Sequence, residues 1–215
     1  MKIQLTQQII VSNKSDKFAP LDELCFLSKN LYNVALYHIR QYYKETGKYL
    51  TYNKLVKTLS YSNNVDYREM PYAQCAQQIL RQIDSQYKAF YASIKSKKMN
   101  GKKVRLPKYK DKENGRNIFI YTNQGAKVSN GVVYLKTKQG TLSFNIVADK
   151  IQQVRIVPKA NHIVVEIIYN KECKAKQDNS RYASIDLGLD NLCTLASNVA
   201  QSIIVNGKPL KSINY

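Results

Sequence analysis

The sequence predicts an α+β fold: a small antiparallel β-barrel with a helical lobe inserted after its first strand, followed by a short strand-rich carboxy-terminal segment. Three observations carry this. Apolar residues recur at three- and four-residue steps in two long stretches of the first hundred residues, the period of amphipathic helices. From residue 118 to residue 169 the period falls to two, with turn residues between short apolar runs. Lysine-rich polar stretches around residues 95–112 and 171–180 mark where the pattern changes. The boundaries that follow are 1–17 for the first strand, 18–100 for the lobe, 101–176 for the rest of the barrel with a basic loop, and 177–215 for the last segment.

Residues 3–11 alternate and then run apolar through Ile9, Ile10 and Val11, which reads as a strand ended by the polar residues 12–17. In the first long helix Leu24, Leu27, Leu31, Val34, Ala35, His38 and Tyr42 share a face; Pro20 suits its first turn and Gly47 its end. A short helix is expected over residues 52–60. After Pro71 a second long helix carries Ala76, Ile79, Leu80, Ile83, Tyr87, Phe90 and Ile94 on one stripe. Helices of this length make rods of about 40 Å, suited to an antiparallel pair. Five strands follow, around Phe119, Val133, Phe144, Ile156 and Val165, and Asn130-Gly131 is the strongest hairpin signal between them. Several short strands at this spacing favour a small barrel that the first strand completes. The last segment reads as three strands, around Ile185, Leu195 and Ile204.

With 34 Lys and Arg against 15 Asp and Glu, the formal charge is +19. Such an excess opposes compaction by self-repulsion and favours a polyanion partner. No apolar run approaches the roughly 18 residues of a spanning helix, and the amino terminus lacks a signal-peptide core, so a cytoplasmic protein without membrane partners is expected. Cys25, Cys75, Cys173 and Cys193 show no Cys-x-x-Cys spacing, which excludes a zinc knuckle of that type, and His38 and His162 stand alone. In the basic loop Lys102, Lys103, Arg105, Lys108 and Lys110 are the expected phosphate contacts. On the lobe Tyr52, Gln74, Gln77, Gln78 and Arg81 are candidate base readers, because amides pair with adenine edges and arginine with guanine. The glutamines equally form the polar face of a helix.

Asp186 is the residue that needs a chemical explanation. It sits among Ile185, Leu187 and Leu189, just before Gly188, so a charge stands beside apolar neighbours. The order of strand, helical insertion, Arg105-Leu106-Pro107-Lys108-Tyr109-Lys110, barrel, and Ile185-Asp186-Leu187-Gly188-Leu189-Asp190-Asn191-Leu192 resembles the amino-terminal half of the TnpB (OrfB) proteins of bacterial insertion sequences, relatives of type V CRISPR effectors. The likeness extends to Asn206-Gly207-Lys208-Pro209. It implies a wedge-like barrel, a helical recognition lobe and the first strands of a ribonuclease H-like (RuvC) domain. It also implies guide RNA and double-stranded DNA as partners, and a parent protein that is an RNA-guided DNA endonuclease linked to transposition.

In that pattern Asp186 matches the first catalytic carboxylate and a ligand of Mg2+. The later glutamate, aspartate and four-cysteine zinc element of the family do not occur in this sequence. Two-metal hydrolysis needs several carboxylates to hold ions about 3.5–4 Å apart, and Asp190 reads as a turn former. The expectation is an incomplete site: this chain binds guide RNA and DNA, holds no cofactor tightly by itself, carries no zinc site and does not cleave alone. The alternatives are a nuclease-dead, RNA-guided repressor, or a generic basic nucleic-acid-binding protein left from a degenerate transposase.

Overall fold

The computed structural model describes residues 2–95, 105–172, 180–188 and 190–209. In chain order the elements are β1 (Lys2–Ser12), α1 (Phe18–Thr46), α2 (Tyr52–Tyr61), α3 (Val65–Arg68), α4 (Ala73–Lys95), β2 (Phe119–Thr122), β3 (Ala126–Ser129), β4 (Val132–Thr137), β5 (Gly140–Asn145), β6 (Gln153–Pro158), β7 (His162–Glu172), β8 (Ala183–Asp186), β9 (Asn191–Ser197) and β10 (Ile203–Asn206). The fold is mixed α+β with small antiparallel sheets. The chain divides into two compact units, Lys2–Glu172 and a carboxy-terminal one from Cys173.

In the first unit the alternation of β1 places it along the whole of β7, with Lys2 opposite Glu172 and Ser12 opposite His162. β6 and β2 continue that sheet in the order β1-β7-β6-β2, while β3, β4 and β5 form a separate meander. Asn130 and Gly131 both adopt positive φ, 49° and 71°, in the tight turn joining β3 to β4, as the dipeptide predicts. β3 itself is not anticipated by the sequence, since only Ala126 and Val128 mark its inner face.

The two sheets do not close into one hydrogen-bonded barrel among the described residues. Their backbone groups near the seam are used locally instead: Ile146 N–H bonds to Gly131 O, and Gln152 N–H to Ile168 O. Side chains take over the bridging. The Gln7 carboxamide donates to Asn145 O at 3.1 Å and accepts from Val147 N–H at 2.9 Å, and Tyr121 OH donates to Lys136 O at 2.6 Å.

The helices cover the sheet through Leu21, Leu24 and Leu31 of α1 and Ile79, Leu80 and Ile83 of α4, all buried with the inner face of the sheet (Phe119, Tyr121, Val154, Ile156, Val165) in one apolar cluster. Gly47, at φ 65°, ends α1 and bonds back to Tyr43 O. α1 and α4 are not the antiparallel pair that their lengths suggest. Their partners advance together: Ser28 meets Gln82 through Asn117, and Tyr32 meets Gln86 further along both helices. The physical reason is the segment 47–72, where α2 and α3 carry the chain back before α4 starts.

In the carboxy-terminal unit β8, β9 and β10 form an antiparallel sheet in the order β10-β9-β8. Ile185, Leu187, Ile203 and Ile204 are exposed on it. Among the described residues no helix is long and apolar enough to cross a membrane.

Candidate nucleic-acid interface

From Arg105 to Asn117 the chain forms an extended strap laid on α1. Asn33 fixes its middle: the carboxamide donates to Lys110 O and accepts from Lys110 N–H, both at 2.9 Å. Arg40 Nη2 donates to Pro107 O at 2.8 Å, and its guanidinium lies 4.4 Å over the Tyr109 ring. Lys29, fully buried, donates to Lys112 O at 2.5 Å with its ammonium 3.8 Å from the Phe26 ring centre. Burial, reinforced by the nearby Arg116 charge, pushes the Lys29 pKa down. Further on, Asp111 accepts from Glu113 N–H and Asn114 N–H to turn the strap, and Arg116 grips Asp22 through two bonds of 2.7 and 2.8 Å. The Asp22 hydrogen bonds raise the Arg116 pKa further.

This anchoring sorts the predicted phosphate contacts. Arg105 and Lys108 are exposed, as a polyanion contact requires. Lys110 is half-buried, with its ammonium 5.2 Å from the Tyr32 ring centre, and burial lowers its pKa, so it is less open to a phosphate than Arg105 and Lys108. Lys102 and Lys103 lie outside the described residues.

The five lobe residues separate into three groups. Arg81 Nε donates to Tyr52 OH at 3.2 Å and the guanidinium lies 5.2 Å over that ring, so these two form one unit at the start of α2. Gln74 faces β2 instead: it accepts from Thr122 OH at 2.6 Å and donates to Gln124. That use of both amide ends leaves Gln74 little capacity for reading a base. Gln77 and Gln78 are half-buried and make no side-chain hydrogen bond to a described residue.

Asp186 ends β8, opposite Thr194 of β9, and is exposed. Among the described residues no three His, Cys, Asp or Glu side chains converge to hold a metal ion. The donor set described around Asp186 therefore does not fit a two-metal centre, which needs several carboxylates on shared ions.

Sequence reasoning missed the residues that hold the strap from behind. Asn33, Arg40 and Lys29 sit on α1, yet their partners are on the strap, 77, 67 and 83 residues later. Gln82 and Gln86, one helical turn apart on α4, accept from Asn117 and Tyr32. The available signal was polarity on the buried side of an amphipathic helix: Lys29 falls between Leu27 and Leu31, where a lysine needs an internal partner.

No protein-family model and no curated protein matches this chain. Among solved structures it is similar to the protein of a cryo-EM Cas12f1–sgRNA–target DNA complex, at 14% identity and a TM-score of 0.42, over 98% of this chain and 59% of that one. It is also similar to that of a CRISPR-Cas12f ternary complex, at 12% identity and a TM-score of 0.42, over 90% and 49%. The chain thus spans between half and three-fifths of the length of those proteins.

Proposed function

We propose that this chain is a nucleic-acid-binding portion of a TnpB-like protein. A wedge-like module of two sheets (1–17 with 101–176) and a recognition lobe (18–100) hold guide RNA and double-stranded DNA, and residues 177–215 begin a ribonuclease H-like domain. The parent protein would be an RNA-guided endonuclease; this chain by itself grips without cutting. The observation that carries the reading is a formal charge of +19 together with a cationic strap whose backbone is tied to α1 while Arg105 and Lys108 point to solvent.

Ordering the strap beforehand reduces the entropy lost when phosphates bind. Fluorescence anisotropy with a structured RNA at several salt concentrations tests it. Arg105→Ala and Lys108→Ala should each flatten the slope of log K against log salt by about 0.7–0.9. A salt-independent affinity defeats the proposal. For the second half of the reading, the chain is incubated with guide RNA, target DNA and Mg2+; cleavage that Asp186→Ala abolishes would show that this chain cuts after all.

A further inference from the structure

Behind the strap, the end of α1, the turn at Tyr49 and α4 form an aromatic wall that neither the phosphate contacts nor the reader set uses. Ring centres of Tyr49 lie 5.4 Å from Tyr87 and 5.9 Å from Tyr91, and Tyr91 lies 5.3 Å from Phe90. Tyr49 and Tyr91 each line two clefts. One, of about 740 Å³, carries the charged residues Arg81, Asp84 and Lys88. The other, of about 610 Å³, is apolar and includes Ile39, Tyr43, Phe90, Ile94 and Leu106. Tyr43 and Ile94 are more than half exposed, and Tyr91 and Leu106 nearly so. A buried carboxylate braces the wall: Asp84 accepts from Tyr49 OH at 2.9 Å and pairs with Lys88 at 2.7 Å, so this acid, already matched, does not repel an anion.

We infer that the apolar cleft is a stacking platform for unpaired bases of RNA, with Tyr43, Phe90 and Tyr91 as the rings that receive them. This rests on the nucleic-acid reading above and deepens it. Open aromatic faces bind bases of any sequence, because every base presents a π-face. The choice of RNA over a protein partner follows from charge. A second copy of a chain carrying +19 would meet strong repulsion, whereas a nucleotide strand brings the neutralising phosphates with its bases. Exposed cations neighbour the lining in sequence: Leu106 is preceded in the strap by Arg105 and followed two residues later by Lys108. Arg40, also in the lining, has a buried Nε without a hydrogen-bond partner among the described residues.

The test uses the full chain and a short single-stranded RNA carrying one fluorescent adenine analogue, whose emission falls when its base stacks. The wild-type chain should quench it. Tyr91→Leu and Tyr43→Leu should each abolish most of the quenching and weaken binding roughly fivefold to a hundredfold, with the salt slope unchanged because no phosphate contact is lost. Tyr91→Phe should restore both. Tyr43, more than half exposed, keeps the test sound if Tyr91→Leu loosens the fold, which circular dichroism checks.

Full affinity and full quenching in Tyr43→Leu overturn the inference. So does sedimentation showing a wild-type dimer that Tyr43→Leu converts to monomer without loss of RNA affinity, since the cleft then belongs to a second copy. If the wild-type chain binds no RNA at all, the broader function falls with it; if only the ring variants behave as wild type, the stacking site alone falls.

Discussion

Replacing Asn33 by alanine isolates the anchor of the basic strap. One carboxamide closes a two-bond ring with the main chain of Lys110, donor to C=O and acceptor from N–H, both at 2.9 Å. Alanine removes both bonds and leaves two backbone groups that must find water. At about 0.5–1.5 kcal/mol net for each bond, the loss is about 1–3 kcal/mol, with the upper end reached only if the groups stay dry. For a unit of this size each kcal/mol lowers Tm by about 2–4 °C, so a fall of about 2–12 °C is expected.

Because Arg40 and Lys29 still hold Pro107 and Lys112, the strap should loosen at its middle without detaching. Hydrogen exchange read by mass spectrometry gives the local answer: the Lys110 amide should lose protection while α4 amides keep theirs. Asn33→Asp, which accepts from Lys110 N–H but cannot donate to its C=O, should fall between wild type and alanine. An Asn33→Ala protein with unchanged Lys110 protection and unchanged Tm would refute the view that this side chain orders the strap.

Leu31→Ala, at a fully buried position of the helix–sheet core, should cost about 2–5 kcal/mol in urea melts. Burial pushes the Cys25 and Cys75 thiols up to about 12, so brief alkylation of the native protein near pH 8 should leave both unmodified while the partly exposed Cys193 reacts; peptide mapping reads this. Burial, then the Glu69 charge, raises the Asp66 carboxyl above its ordinary value. The folded chain therefore holds that proton more tightly than the unfolded one, and the stability it contributes is lost as pH rises through the folded value. Asp66→Asn should raise Tm at neutral pH and flatten the loss of stability just above the ordinary carboxylate range.

Local chemistry made much of this fold legible. The Asn130-Gly131 turn, the end of α1 at Gly47 and the two helical stripes follow from φ preferences and period. What stayed hidden is what depends on distant partners. The relative direction of α1 and α4 is set by how segment 47–72 returns the chain, and length alone does not fix it. The role of Gln74 is set by Thr122 and Gln124, which no periodicity places beside it. Lys110 reads in sequence as one more cation of a basic run, and only the Tyr32 ring and the Asn33 carboxamide give it an internal role.

Gripping a polyanion and cutting it make different demands on a chain. Electrostatic binding sums over many weak contacts, so it survives the loss of any one and can be read from composition. Two-metal hydrolysis is conjunctive: it needs several carboxylates on shared ions at once, so a single acid such as the exposed Asp186 does not supply a fraction of the rate. Even the additive part has a limit, because cations spent inside the protein do not reach phosphate. Lys29 and Arg116 both have internal partners, so the salt slope should report fewer contacts than the formal charge implies. Lys29→Met separates the two populations: it should lower Tm through the lost bond to Lys112 O and leave the RNA salt slope where it was, whereas Arg105→Ala should do the reverse. A Lys29→Met protein with a flattened slope would mean that formal charge alone governs binding and that the ordered strap has no special part in it.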